Sequence, residues 1–527
     1  MGEWPRRPWG LRLDRRRFLA ASAATVLAAC TSRNAANERP STSTIPGRVD
    51  GPHLGDDPFG LGVASGDPRA DGVTLWTRLA GDDLGPQRIP VAWELATDER
   101  FGRVVRHGTI DATADLGHAI HIDLDGLDPG SEFHYRFHTR EHTSPTGRTR
   151  TAPARHERAP LRFAFASCQE YQEGWYTAYR DAAAGDLDLL VHLGDYIYEH
   201  GMHDDGVRRH EGGPVTTLDD YRRRYTTYRS DPDLRAAHAA CPWVITWDDH
   251  EVADNYTGLV AGALADPDPD PRAFARRRTA AYRAWYEHQP VRVAAPTGAD
   301  LAIHRAVPWG SDVLLLALDT RQYRSEQTCS PIDIGPMCDE MRGGGPTVLG
   351  DAQHAWLERE LDASAAMWNV LANQVLFAPM TFGPERSVQL DGWDGYPAAR
   401  RRVTQFLDDH GVRNPVFITG DIHLSAVNDV RADVDDAASR VVATEFVGTS
   451  ISSSSDAILA GFHDSIVEQN PHLRWIEHDH RGYVVCEAGP DAFTAEYRFV
   501  DDARDPESRV GTARRWAIEP GRPVAEA

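Results

Sequence analysis

Lysine is absent: all 56 basic residues among the 527 are arginine. A GC-rich coding bias accounts for this simply, but the chemical consequence is an exclusion. A phosphate-cradling P-loop, a Schiff-base mechanism and a kinase-type site each depend on a lysine ammonium, so none of them is available. Positive charge is scarce altogether, with a formal net charge of -23 at pH 7. A field of that sign argues against nucleic acid as a stable partner. It would also repel small anions unless cations in a site inverted the local potential. Long hydrophobic runs are lacking as well. The one apolar stretch that stands out, residues 20–29, is far shorter than the ~20 residues needed to cross a bilayer. Cysteine is sparse, six in all, so a disulfide-dense scaffold is excluded.

What is present begins at the N-terminus. The sequence DRRRFL (14–19) followed by the apolar stretch resembles a twin-arginine export signal. The stretch ends in LAAC, which resembles a lipobox, with cleavage before Cys30 and lipid carried on its thiol; a plain cleaved signal with an incidental cysteine is the alternative. A twin-arginine route implies folded cargo, the twin-arginine export machinery as a partner, and membrane contact only through the lipid anchor. Loss of residues 1–29 removes six arginines and two acids, a net +4, and takes the charge from -23 to -27. Residues 1–30 therefore read as a signal. Residues 31–58, rich in Ser, Thr, Pro and Asn, read as a flexible tether.

From 59 to 153 short strands alternate with turns: GVTLWTRL, PVAWELAT, VVRHGTI, AIHIDL, EFHYRFHT. This spacing predicts an all-β sandwich, and GLDPG (126–130) with Phe133 and Tyr135 resembles the tyrosine-bearing turn of fibronectin-type modules. From 161 to 500 strands alternate with helical stretches, GWYTAYRDAAA, LDDYRRRYTTYRSDPDLRAAH, RAFARRRTAAYRAWYEHQ and DAQHAWLERELDAS, the pattern of an α/β catalytic domain. The acidic, Pro-rich run at 263–272 reads as a solvated loop, with a separate cation site as the alternative, and 501–527 as a C-terminal tail. Cys329 and Cys338 bracket the turn-rich SPIDIGPM, where a disulfide suits an exported protein and two free thiols are the alternative; Cys241 and Cys486 stay open.

Four apolar runs each end in a cluster of chemically active residues: FAFASCQE, LLVHLGDYIYEH, VITWDDHEVADN and PVFITGDIHLSA. Strands of an α/β protein deliver functional groups from their carboxyl ends, so the four clusters are expected to converge. The groups are those that bind cations. Asp195 follows a glycine that allows a tight turn, and one carboxylate there can bridge two ions. Tyr198, three residues on, reaches the same ion if a helical turn begins there, and a phenolate favours a trivalent ion such as Fe(III); a buried phenol donating a hydrogen bond is the other reading. Cys168 offers a soft thiolate, which points to iron rather than magnesium alone; a small buried hydrophobe or a nucleophile are its alternatives. Asp248 and Asp249 are adjacent acids that need neutralising. His250 can ligate or donate to a phosphoryl group, and Asn255 offers a carbonyl oxygen of the kind calcium takes. Asp421 and His423, two apart, share a face if the backbone stays strand-like; for this cluster and for the one at 248–251, a surface turn with solvated acids is the alternative.

These motifs together, with LDTRQYR (318–324), ANQV (372–375) and DGWDGYPAAR (391–400), resemble the PhoD-type alkaline phosphatases of the metallophosphoesterase superfamily. The resemblance covers the exported N-terminus, the β module and the region from about 161 to 500. It implies a calcineurin-like α/β/β/α sandwich behind a fibronectin- or immunoglobulin-like β domain. It implies a site holding Fe(III) and Ca(II), with Cys168, Asp195, Tyr198 and His423 on iron, Asp195, Asn255 and Asp421 on calcium, and Asp195 bridging. Asp249 and His250 stand where the wider superfamily has an Asn-His pair; Asp249 is assigned to metal, and both are assigned with Asp195 to catalysis. That superfamily opens its site with Asp-x-His, whereas this chain has Cys168 there. The implied activity is hydrolysis of small phosphate esters to inorganic phosphate by in-line attack of a metal-activated water. A phosphodiesterase, phospholipase D-like enzymes included, and a non-catalytic metal-binding surface protein are the competing readings.

Overall fold

Strands buried on both faces explain the unbroken apolar runs that precede the polar clusters. In a strand, successive side chains point to opposite faces, so a run without polar interruption serves two cores at once. The computed structural model describes residues 49–262, 270–328, 333–436, 438–455 and 457–527. Seven strands lead: β1 (Val63–Arg69), β2 (Gly72–Arg78), β3 (Ile89–Ala96), β4 (Val104–Ala112), β5 (Ala119–Leu124), β6 (Glu132–His138) and β7 (Gly147–Arg150). Then come β8 (Leu161–Ala166), β9 (Leu189–His192) and β10 (Trp243–Ile245). They are followed by β11 (Arg305–Trp309), β12 (Val313–Ala317), β13 (Ile334–Pro336), β14 (Trp368–Ala372), β15 (Ser387–Gln389), β16 (Pro415–Thr419), β17 (Ser425–Arg431), β18 (Val441–Val447) and β19 (Leu473–Glu477). The chain closes with β20 (Arg481–Ala488), β21 (Phe493–Val500), β22 (Val510–Ile518) and β23 (Ala525–Glu526).

Two large sheets stack face to face. One runs β23-β22-β21-β20-β8-β9-β10-β1-β2-β5, the other β11-β12-β14-β16-β18-β17-β19. Phe163, Phe165, Leu189 and Val191 of the first meet Val313, Leu315, Val370 and Ile418 of the second in the core between them. The intervening residues face outward. Ala164, Leu190 and Ile245 pack under a helical layer built on Thr177–Ala184, Leu218–Arg229, Pro232–Ala240 and Pro271–His288. Leu314, Leu316, Leu371 and Phe417 pack under Gly350–Asp362 and Pro397–Asp409. The result is the expected α/β/β/α layering.

Three sequence expectations change. The stretch 218–238 is two helices rather than one. Asp231 caps the second by accepting from the amides of Asp233 and Leu234, and Pro232 occupies its first turn, where a missing N–H costs nothing. The β module is not a separate bead: β1 pairs in parallel with β10, Gly66 opposite Trp243, so half of the sandwich extends the central sheet. Its other sheet, β4-β3-β6-β7, closes a core in which Tyr135 and Phe133 are buried. Residues 501–527 are not a tail, since β22 pairs along its length with β21, and Trp516, Ile518 and Val524 complete the core between the sheets. Among the described residues, no helix is long and apolar enough to cross a membrane.

Candidate metal centre

The parallel strands β8, β9 and β10 end beside the carboxyl end of β16, and the residues that follow them converge. The turns are tight enough to force unusual backbone. Cys168, Asp195, Asn255, Asp421 and His423 all have positive φ, between 50° and 69°, a region that L residues occupy only when surrounding structure imposes it. Two glycines make the convergence possible. A Cβ on Gly194, at φ 116°, would stand 2.4 Å from the Asp248 amide nitrogen, and one on Gly420 would stand 2.3 Å from Ser167 Oγ. Two local expectations are corrected. Tyr198 reaches Asp195 through an irregular bend rather than a helical turn, and Asp421 and His423 come together through a left-handed loop rather than strand alternation.

Two groups of donor atoms form, and they share a residue. Ligand atoms of Cys168, Asp195 and His423 lie within 4.8 Å of one another. Tyr198 Oη joins them, 3.3 Å from Asp195 Oδ2 and 3.2 Å from His423 Nε2. A second group, within the same limit, comprises Asp195, Asp248, Asp249 and Asp421. Asn255 borders it, its backbone N–H donating to Asp249 Oδ2 at 2.6 Å. Asp195 Oδ1 and Asp421 Oδ2 are buried without a hydrogen-bond partner, and Asp249 Oδ1 has only the Arg321 guanidinium beside it, at 3.3 Å. Orphaned carboxylate oxygens in that position fit cations, because burying them unpaired is costly.

The electrostatics agree. Burial pushes Asp195 well above the carboxylate range, and although His250 opposes this, Asp249 and Asp248 add to it. Burial and then Asp248 and Asp391 do the same to Asp421. The Cys168 thiol and the Tyr198 phenol are both pushed up by burial and by Asp195. These groups ionise together only when cations offset their charge, which couples metal binding to proton release. His423 is held down at about 4 by burial and by Arg481, so it is the neutral ligating form. Its Nδ1–H donates to the Ser454 carbonyl at 2.6 Å, which turns Nε2 toward Tyr198.

His250 stands at the edge of the centre, beside the acids. Its ligand atoms group with Asp195 and Asp249, and its Nδ1 meets Glu199 Oε2 at 2.8 Å. Its ring stacks on Tyr198 with centroids 4.2 Å apart. Burial opposes its charge, but Asp249, Glu199 and Asp195 outweigh this and hold it protonated. Arg321, fully buried, lies 3.3 Å from Asp249 and 3.8 Å from Asp421 while pairing with Asp248 and Asp391. The LDTRQYR and DGWDGYPAAR blocks thus supply a buried ion network behind the acids. ANQV supplies Gln374, whose carbonyl accepts from the Gly420 amide at 3.0 Å.

Some functional residues gave no sequence signal strong enough to assign. Glu251 accepts from the amides of Asp195, Tyr196 and Asp248 and so ties two ligand loops together. Glu199 and the serine run after β18 were legible only as composition. Cys30 and Cys329 lie outside the described residues. Cys338 is disulfide-bonded, and Cys168, Cys241 and Cys486 are free and buried.

Known proteins resemble this chain over most of its length. A family model described as PhoD-like phosphatase matches residues 163–497, and one described as its N-terminal domain matches residues 46–153. The chain is 44% identical over 483 residues to alkaline phosphatase D of Bacillus subtilis (strain 168), covering 89% of this chain and 82% of that protein. It is similar to the solved structure of PhoD, with 42% identity and a TM-score of 0.86 over 90% of this chain and 93% of that one. A purple acid phosphatase from yellow lupin (Lupinus luteus) seeds shares the fold alone, at 13% identity and a TM-score of 0.55 over 87% and 73% of the two chains. The chain belongs to the PhoD-like phosphatase family and is a phosphoric ester hydrolase.

Proposed function

We propose that this chain is an exported alkaline phosphatase that releases inorganic phosphate from phosphate monoesters at a centre of Fe(III) and Ca(II). The observation that carries the reading is that Asp195 is common to a thiolate–imidazole–phenol group and an all-carboxylate group. The first set, Cys168, Asp195, Tyr198 and His423, mixes soft and hard donors as ferric iron takes them; the second, Asp195, Asp249 and Asp421 with Asn255 beside them, offers oxygens as calcium takes them. Bound cations would neutralise the ester oxygens and acidify the attacking water. The protein's own contribution is placement. Glu199 fixes the His250 imidazole, and the stacked Tyr198 ring limits its rotation, so that its proton can be delivered to the leaving oxygen.

The export and anchoring part of the proposal rests on the twin-arginine and lipobox resemblances of residues 1–30. The Cys329–Cys338 bridge is proposed on their spacing and on the oxidising destination that export implies. The test is elemental analysis of natively exported protein together with assays on an aryl phosphate monoester and on the matching diester. Iron and calcium with a monoester preference support the reading, whereas an active enzyme free of both metals overturns it.

A further inference from the structure

The run 449–455 follows β18 and contacts Cys168, Tyr198 and His423 of the first donor group. Ser453 Oγ lies 2.8 Å from Tyr198 Oη and 2.9 Å from the Cys168 carbonyl, and it accepts from the Glu170 amide at 3.0 Å. The Ser454 carbonyl accepts from His423 Nδ1 at 2.6 Å. Arg481 locks the loop in place by donating to the His423 carbonyl at 2.8 Å, to Ser450 Oγ at 3.0 Å and to the Ser453 carbonyl at 3.1 Å. Ser453 is almost fully buried.

A serine hydroxyl has one proton to give. The Cys168 carbonyl is already approached by the backbone amides of Ser452 and Ser453, at 3.4 and 3.3 Å. A metal-bound phenolate carries no proton, so the contact between Ser453 and Tyr198 survives metal loading only if Ser453 donates. We propose that Ser453 is a positioning residue for the metal centre, its hydroxyl donating to the Tyr198 oxygen and setting the donor strength of that phenolate toward the metal. This rests on the ferric reading above. A hydrogen bond to the phenolate stabilises its lone pairs and weakens its push toward the ion, as partners behind metal ligands generally tune the metal.

The experiment is visible absorption and metal content of purified wild type, Ser453→Ala, Ser453→Thr and Ser452→Ala. In wild type the phenolate-to-Fe(III) band is expected. Ser453→Ala should move it to longer wavelength at unchanged iron content, because the unassisted phenolate gives up its electron more easily. Ser453→Thr, which keeps the hydroxyl, should restore the wild-type position. Ser452→Ala should leave the band in place, since Ser452 Oγ bonds the Glu170 carbonyl at 2.8 Å instead. No band in iron-loaded wild type would refute the phenolate reading itself. A wild-type band that stays put in iron-loaded Ser453→Ala would refute the role of Ser453 alone. If Ser453→Ala does not fold, resonance Raman of wild type in H2O and D2O decides: a phenolate C–O stretch that shifts on exchange supports the hydrogen bond, and one that does not shift overturns it.

Discussion

Substitution of Glu251 separates the scaffold of the metal centre from its ligands. The side chain is buried, and its two oxygens divide three backbone donors: Oε1 takes the Tyr196 amide at 2.8 Å, and Oε2 takes the Asp195 and Asp248 amides at 3.0 and 2.9 Å. Glu251→Gln can keep its carbonyl on the pair at the Oε2 side, but its NH2 then faces the Tyr196 N–H and leaves that donor unsatisfied. One orphaned buried donor costs about 1–3 kcal/mol. Glu251→Ala orphans all three, so its loss should be roughly threefold larger, unless water enters. Because Asp195 is held at positive φ by these contacts, metal affinity should fall in the same order. Denaturant unfolding of metal-loaded and metal-stripped protein reads the first effect, and metal per chain reads the second. A Glu251→Gln protein with an unchanged midpoint and full metal would show that the carboxylate does not organise the two loops.

Other expectations follow from the same geometry. Tyr198→Phe should abolish the visible band while leaving the fold intact, because only the hydroxyl touches Asp195, His423 and Ser453; a surviving band in the iron-loaded variant would refute phenolate ligation. A calcium-selective chelator should stop turnover, and calcium should restore it better than magnesium, since the second group is all oxygen and irregular; unchanged rates after complete calcium removal would count against that assignment. Mass spectrometry of exported protein should find a diacylglyceryl group on Cys30, and Cys30→Ala should release protein to the medium; an unmodified N-terminus at another residue would remove the anchor and leave export standing.

Most of the candidate donors were legible because four apolar runs each end abruptly in polar residues, whereas the four layers were implied by the family resemblance of the motifs. Cys168, Asp195, Asp249, His250, Asp421 and His423 mark those ends. Less legible was how the backbone brings them together. Strand alternation is the natural reading of Asp421 and His423, yet both adopt positive φ, which only tertiary contacts such as the 3.0 Å bond from the Gly420 amide to Gln374 can impose. The pairing of β1 with β10 also leaves no local trace, since VASGDPR contains Gly, Asp and Pro, all poor strand formers. Residues 501–527 look tail-like because β22 is exposed on one face, but its Trp516 and Ile518 face the core. Ser453 and Ser454 sit in a run that composition alone marks as a loop, and their contacts to Tyr198 and His423 span more than 30 residues of sequence or more than 250.

One carboxylate, that of Asp195, is shared by both groups of donors. Asp195→Asn keeps the size of the side chain but removes the negative charge that offsets two cations. Cys168→Ser keeps a weaker donor in the first group and leaves the second untouched. The deciding measurement is iron and calcium per chain in both variants, with circular dichroism and aryl phosphate turnover on the same samples. A shared carboxylate predicts folded protein in both cases, loss of both metals and of activity in Asp195→Asn, and a loss confined mainly to iron in Cys168→Ser. An Asp195→Asn protein that retains near-wild-type metal and turnover would contradict it.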